Sequence, residues 1–275
     1  MFYEVINHAT REYPFLIEHK NVKYIPHYHE ETELVYVLEG ELGVTLENKS
    51  FTLKKGEICV ITPRQIHNLY SFSDNKTFVM KLFSVIDIGN ICLKDSIITS
   101  ESTGYNKIRS YIDDMIFEDS TRGVGYELSV NIISEKIFLF IIRNMEYHQM
   151  EGLDQVKLKN KSEFLDSVTA YLEEHFSEEF SLFDVATSQN YTKSYFCHYF
   201  KKITGVSFWQ YYTIFRLEKC IQMMKKNPKK KYIEISEMAG FKNIRSFNQA
   251  FKEYHQCTPR EYMKKYYQSR IDDNN

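Results

Sequence analysis

The run PHYHEETELVYVLEGE, residues 26–41, sets His27, His29 and Glu33 ahead of a turn glycine, Gly40. On an extended backbone, residues of one parity face one side, so these three would share a face. His67, in TPRQIHNL, would arrive from a neighbouring strand. Three imidazoles and a carboxylate form a donor set for iron, manganese, nickel or zinc. The same groups can also satisfy one another inside a core, or grip the hydroxyls of a small molecule. For that last role Tyr28 and Tyr36 offer stacking surfaces, which makes a carbohydrate the first expectation for a ligand. The sites expected here are therefore a ligand pocket of His27, Tyr28, His29, Glu33, Tyr36 and His67, and a divalent metal on His27, His29, Glu33 and His67.

Residues 22–83 are rich in β-branched and aromatic side chains, broken by EGE at 39–41, ENKS at 47–50 and KKGE at 54–57. That rhythm predicts short strands joined by hairpins. After residue 104 the period changes. Ile108, Tyr111, Ile112, Met115 and Ile116 recur at helical spacing, as do Val130, Ile133, Ile137, Phe140 and Ile141. The second of these helices, about 127–146, is apolar around more of its girth than packing on one face requires, which predicts a homodimer interface. Residues 151–163 are polar, lose the periodicity and are expected to be a linker.

From residue 164 onward the sequence predicts helices, and it contains a near-repeat. VATSQNYTKSYFCHYFKKITGVSFWQYY (185–212) aligns with ISEMAGFKNIRSFNQAFKEYHQCTPREYM (235–263), with one extra residue, Lys242. Phe196 matches Phe247, Phe200-Lys201 matches Phe251-Lys252, Ser207 matches Thr258 and Tyr211 matches Tyr262, all 51 residues apart. In each copy a short helix leads into a tight turn and a second helix. Asn190 and Gly240 tolerate a left-handed backbone, and Thr192 and Asn243 are N-caps, which together predict two helix-turn-helix units. Phenylalanines at i and i+4 face the core. Lys193, Ser194, Cys197, His198 and Lys201, and in the second copy Ile244, Arg245, Asn248, Gln249 and Lys252, are then left outward, where they could reach DNA.

Residues 164–267 resemble the DNA-binding domain of AraC/XylS-type transcriptional regulators. Asn190, Phe208 and Gln256 depart from the glycine, proline and glycine that often stand at those positions. The spacing His-x-His-x3-Glu-x6-Gly, followed by KKGEICVITPRQIH, resembles the two motifs of the cupin β-barrel, although PRQIH lacks the glycine that metal-bearing cupins carry there. The resemblance implies an α+β chain of two domains. The first, 1–150, is a cupin-like barrel at about 1–95 with two packed helices at about 104–148. The second, 164–275, is all-α, with both helix-turn-helix units joined by a helix at 207–225. It also implies double-stranded DNA, a small-molecule effector and RNA polymerase as partners. A metal-dependent cupin enzyme or metal sensor fused to a DNA-binding domain is the alternative.

The charge distribution fits this division. The net charge of -2 conceals 17 Lys and Arg against 5 Glu within 185–270, or +12, leaving 18 against 32, or -14, elsewhere. A localised basic region is the electrostatic footprint of a nucleic-acid-binding domain. The five cysteines are scattered, with no Cys-x-x-Cys pair, and are expected as reduced thiols. The start of the chain lacks a basic segment followed by an apolar run, and IFLFII is far too short to span a bilayer, so a cytoplasmic protein with no membrane partner is expected. Nothing in the sequence says whether bound protein activates or represses.

Overall fold

A computed structural model describes residues 15–82 and 91–272. The parts of the expected barrel at 1–14 and 83–90, and the last three residues of the expected DNA-binding domain, lie outside the described residues. Contacts divide the chain near residue 165 into a strand-rich first unit and a helical second unit.

In the first unit, β1 (Phe15–Lys20), β2 (Thr32–Glu39), β5 (Ile58–Ile61), β7 (Lys76–Leu82) and β9 (Ile97–Ile98) form a five-stranded sheet in the order β1-β7-β2-β5-β9. A second sheet has the order β4-β3-β6, from β3 (Glu41–Leu46), β4 (Lys49–Lys54) and β6 (His67–Tyr70). All these pairings are antiparallel. Alternation along β2 divides two cores: Val35 and Val37 join Leu42, Val44, Leu53, Ile61 and Leu69 between the sheets. Leu34 and Tyr36 turn the other way, onto α1 (Tyr105–Thr121) and α2 (Tyr126–Asn144), where they meet Ile108, Ile112 and Ile137. Because β2 is buried on both faces, it reads in the sequence as an almost unbroken apolar run. A two-stranded sheet pairs β8 (Ile91–Leu93) with β10 (Tyr147–Gln149).

The polar segment 151–163 is helical, as the first half of α3 (Gly152–His175). Its lysines, leucines, Gln155 and Glu163 are strong helix formers, so the missing apolar stripe marks a helix without an apolar buried face over that stretch.

The second unit continues with α4 (Leu182–Ser188), α5 (Lys193–Thr204), α6 (Phe208–Lys226), α7 (Tyr232–Met238), α8 (Ile244–His255) and α9 (Pro259–Asp272). Ser207 opens α6 through a capping box with Gln210. Both expected left-handed turns form, with φ of 57° at Asn190 and 76° at Gly240, and Gln256 holds the same conformation at 57°. Asn190 and Gln256 therefore hold a left-handed backbone at positions where the family often has glycine. Thr192 accepts from the Tyr195 amide at 3.3 Å and Asn243 from the Ser246 amide at 2.8 Å, which caps α5 and α8 as the sequence predicts. Trp209, the single tryptophan of the chain, is 46% exposed and stacks on Phe180 with ring centroids 6.1 Å apart.

Gly40 turns β2 into β3 at a φ of 72°, and a Cβ there would lie 2.3 Å from the Asp74 carbonyl oxygen. Gly123, in contrast, has open space around it. Gly40→Ala is expected to destabilise the first unit by more than about 1 kcal/mol in chemical denaturation, while Gly123→Ala stays near neutral. Equal effects at the two positions would count against this account of the turn.

Candidate functional site

The histidines are placed by backbone before they are placed by strands. His27 and His29 lie ahead of β2 in a non-repetitive stretch, and only Glu33 is on the strand proper. An isolated bridge ties His27 to His67 through both backbone bonds, at 2.9 and 2.8 Å. The four side chains meet: His27, His29, Glu33 and His67 are all at most 5% exposed, and one ring nitrogen from each histidine lies within 4.8 Å of the others.

Each imidazole is oriented by a carbonyl two residues away. Nδ1 of His27 donates to Ile25 at 2.8 Å, that of His29 to Glu31 at 2.9 Å, and that of His67 to Gln65 at 2.8 Å. A carbonyl only accepts, so Nδ1 carries the proton in all three, and in a neutral ring Nε2 presents a lone pair. Those Nε2 atoms face Glu33: His29 Nε2 is 3.2 Å from Oε2, and His67 Nε2 is 3.6 Å from Oε1. His27 Nε2, His67 Nε2 and Glu33 Oε1 are buried without a hydrogen-bond partner. Burial opposes ionisation of Glu33, but the imidazoles of His29 and His67 outweigh it and hold the carboxyl well below the usual carboxylate range. Burial, with His67 and His29 alongside, holds His27 well below the usual imidazole range, so its ring is neutral near pH 7. Lone pairs facing a carboxylate repel unless a proton or a metal cation lies between them. A divalent metal ion fits this donor set, with each Nδ1–H fixed by an outer carbonyl.

The expected ligand pocket is corrected at Tyr36. Three residues on from Glu33, it faces the opposite side of β2, packs in the helix-covered core, and lies under the Arg109 guanidinium at 5.2 Å. Tyr28, between the two histidines, is half-buried. Sequence reasoning missed Arg64, which adopts a φ of 62° where a glycine would be at ease, donates its amide to the His29 carbonyl at 2.7 Å, and pairs with Glu30 at 2.8 Å. The available signal was that PRQIH lacks a glycine, so a left-handed turn there had to fall on another residue.

The residues expected to reach DNA lie on the outer faces of α5 and α8 with one exception. Phe196, Phe200, Phe247 and Phe251 are fully buried. Lys193, Ser194, His198 and Lys201 on α5 are exposed, with Cys197 half-buried. On α8, Arg245, Asn248, Gln249 and Lys252 are exposed, and Gln249 donates to Glu253 at 2.9 Å. Ile244 departs from the expectation. Half-buried, it packs on the second core together with Phe241, because the first turn of α8 is tucked against α7. Among the described residues Arg245 forms no ion pair. All five cysteines are free thiols, and no helix among the described residues is long and apolar enough to cross a membrane.

A strand-rich histidine-bearing unit followed by two helix-turn-helix units on one joining helix defines a class of transcriptional regulators. Residues 16–85 match the Cupin domain and residues 185–265 the Helix-turn-helix domain. The TetD protein of transposon Tn10 from Escherichia coli is 34% identical over 98 residues, 36% of this chain and 70% of its own length. The chain belongs to the AraC/XylS family of transcriptional regulators. It is also similar over its length to the "Probable transcriptional regulator LumQ" of Photobacterium leiognathi, 23% identical over 86% of this chain and 90% of that one. ToxT of Vibrio cholerae, solved with an unsaturated fatty acid bound, aligns over 92% of this chain and 95% of its own at 14% identity and a TM-score of 0.49.

Arg245, exposed and without a competing carboxylate, is the side chain on α8 best suited to a guanine edge. Arg245→Ala is expected to weaken binding to a selected duplex by about 1–3 kcal/mol and to blur preference in one half of the site, in gel-shift titrations of the full chain. Equal loss on selected and random DNA would make it a phosphate contact.

Proposed function

We propose that this regulator binds double-stranded DNA through α5 and α8, senses a small-molecule effector in the barrel, and holds a divalent metal ion on His27, His29, Glu33 and His67 as part of that sensor. The observation that carries the reading is the buried cluster in which His29 and His67 turn Nε2 toward the Glu33 carboxylate while His27 Nε2, His67 Nε2 and Glu33 Oε1 lack a hydrogen-bond partner. His27, His29, Glu33 and His67 would hold the ion, which would supply a Lewis-acidic position for an oxygen-bearing effector. The carbohydrate expectation is weakened, since Tyr36 turns away from the cluster and leaves mainly imidazole and carboxylate groups to meet a ligand. We place the protein in the cytoplasm, acting with RNA polymerase, and read the barrel as a sensor without turnover. The second reading, a metal-dependent enzyme or metal sensor, draws on the same histidines.

Metal analysis of the purified full chain, with thermal unfolding after manganese, iron(II), nickel or zinc is added, tests this directly. Binding of one ion per chain is expected, raising the unfolding temperature and lost in His29→Ala. No ion bound, or an unchanged shift in the variant, would overturn the metal assignment. A sugar or small acid that then stabilises the loaded protein and alters its DNA affinity supports sensing, whereas chemical conversion of the added compound supports the enzyme reading.

We propose an exposed face of α2 as the homodimer interface. The apolar residues of α2 that α1 and the barrel leave uncovered are Leu128, Ile132 and Leu139, exposed to 66%, 47% and 40%. Glu135 and Lys136 interrupt them. An antiparallel second copy of α2, related by a two-fold axis between residues 135 and 136, sets each Ile132 against the other copy's Leu139 and each Glu135 against the other copy's Lys136. Ile132 and Leu139 then form an apolar match and Glu135 and Lys136 a charged one, while Leu128 falls opposite Arg143 at the edge. Sedimentation of the full chain at micromolar concentration is expected to show a dimer that Ile132→Asp with Leu139→Asp converts to a monomer. Unchanged mass in the double variant would exclude this face.

A further inference from the structure

The two helix-turn-helix units have separate aromatic cores. Phe196 and Phe200 pack on Phe208 in the first, and Phe247 and Phe251 pack with Phe241 and the second half of α6 in the second. The seam that holds the second unit to α6, Leu217, Cys220, Ile221 and Met224, is apolar. Apolar packing favours a range of crossing angles rather than a single one. Arg216 adds a directional contact at that seam. Its guanidinium lies 4.3 Å from the ring centre of Tyr212, which packs on Phe180 at 4.8 Å in the first core. It lies 4.4 Å from the ring centre of Phe241, which packs on Phe247 at 5.4 Å in the second. Between the two rings it donates through Nη1 to the carbonyl of Gly240 at 2.7 Å, on the left-handed turn that launches α8. The end of α3 braces the same point: Tyr212 donates its hydroxyl to the Phe176 carbonyl at 3.0 Å, and a Cβ on Gly240 would come within 2.5 Å of that oxygen.

We infer that Arg216 is the positioning residue that fixes α8 relative to α5, so that the protein recognises the separation of its two half-sites as well as their sequences. A planar guanidinium held between two rings and bonded to one carbonyl allows neither rotation of the turn nor sliding along α6. A lysine ammonium, round and flexible, restores the charge but not the plane. The inference rests on the DNA-binding reading. When one rigid body carries both recognition helices, the second contact is effectively intramolecular, and its gain depends on geometry.

The test uses the full chain and duplexes enriched by it from a randomised pool. Binding is measured at low salt, where phosphate attraction keeps isolated half-sites measurable. Three probes are compared: the intact site, each half-site alone, and the intact site with one base pair inserted between its halves. Arg216→Lys is expected to bind half-sites within about twofold of wild type, to lose about tenfold or more on the intact site, and to show a much smaller penalty than wild type for the inserted base pair. Thermal unfolding of the variant confirms that it is folded, and Arg216→Ala serves as the more severe version. Retention of the wild-type penalty for the insertion would overturn the inference. So would half-site binding that falls as far as intact-site binding, since that would reduce Arg216 to an ordinary fold contact. Failure of the wild type to enrich any duplex would instead overturn the DNA-binding reading.

Discussion

The outward chemistry of the second unit depends on four phenylalanines that have no outward role. Phe196 and Phe200 under α5, and Phe247 and Phe251 under α8, are fully buried at i and i+4. A twelve-residue helix is marginal by itself and takes most of its stability from the face it buries. Once those rings are seated, the rotation of each helix is fixed, and the residues opposite have no choice but to face solvent or DNA. Each ring contributes on the order of 2–3 kcal/mol through burial, more than any exposed residue on the other side can contribute to folding. The surface is therefore free to change its specificity while the helix stays in place.

The barrel obeys the same logic with a period of two. Burying Val35 and Val37 between the sheets carries Glu33 inward with them and sends Leu34 and Tyr36 to the helix-covered face. A charged side chain in that position is costly by itself, and neighbouring imidazoles alone offset it only if one of them is protonated. The backbone carbonyls that hold each Nδ1 leave Nε2 as the remaining ring nitrogen of each imidazole. The cluster is thus built from local backbone geometry, three short carbonyl contacts, as much as from the sheet.

The sequence showed its repeats and caps more clearly than its faces. The 51-residue spacing, the N-caps Thr192 and Asn243, and the left-handed Asn190 and Gly240 were legible because each is a local property of a few residues. So was the grouping of His27, His29, Glu33 and His67. Tyr36 was not, because nearness in sequence to Glu33 was read as nearness in space, and parity separates them. The helical nature of 151–163 was hidden because periodicity reports a buried face, and a solvated helix has none. Ile244 was misread as outward because the position after an N-cap can face either way until the preceding helix is in place. Arg216 drew no notice for the same reason. Its partners, Tyr212, Gly240 and Phe241, are brought together only by the fold.

Trp209 leaves a practical legacy of the aromatic-rich composition. With 21 tyrosines and 20 phenylalanines but a single tryptophan, the chain carries one indole fluorophore, and it sits half-exposed against Phe180 at the start of α6. Selectively excited emission therefore comes from the first helix-turn-helix neighbourhood alone, with the strand-rich unit dark in that channel. The molecule has a built-in optical reporter, able to separate what happens where α6 begins from what happens in the barrel without any label being attached.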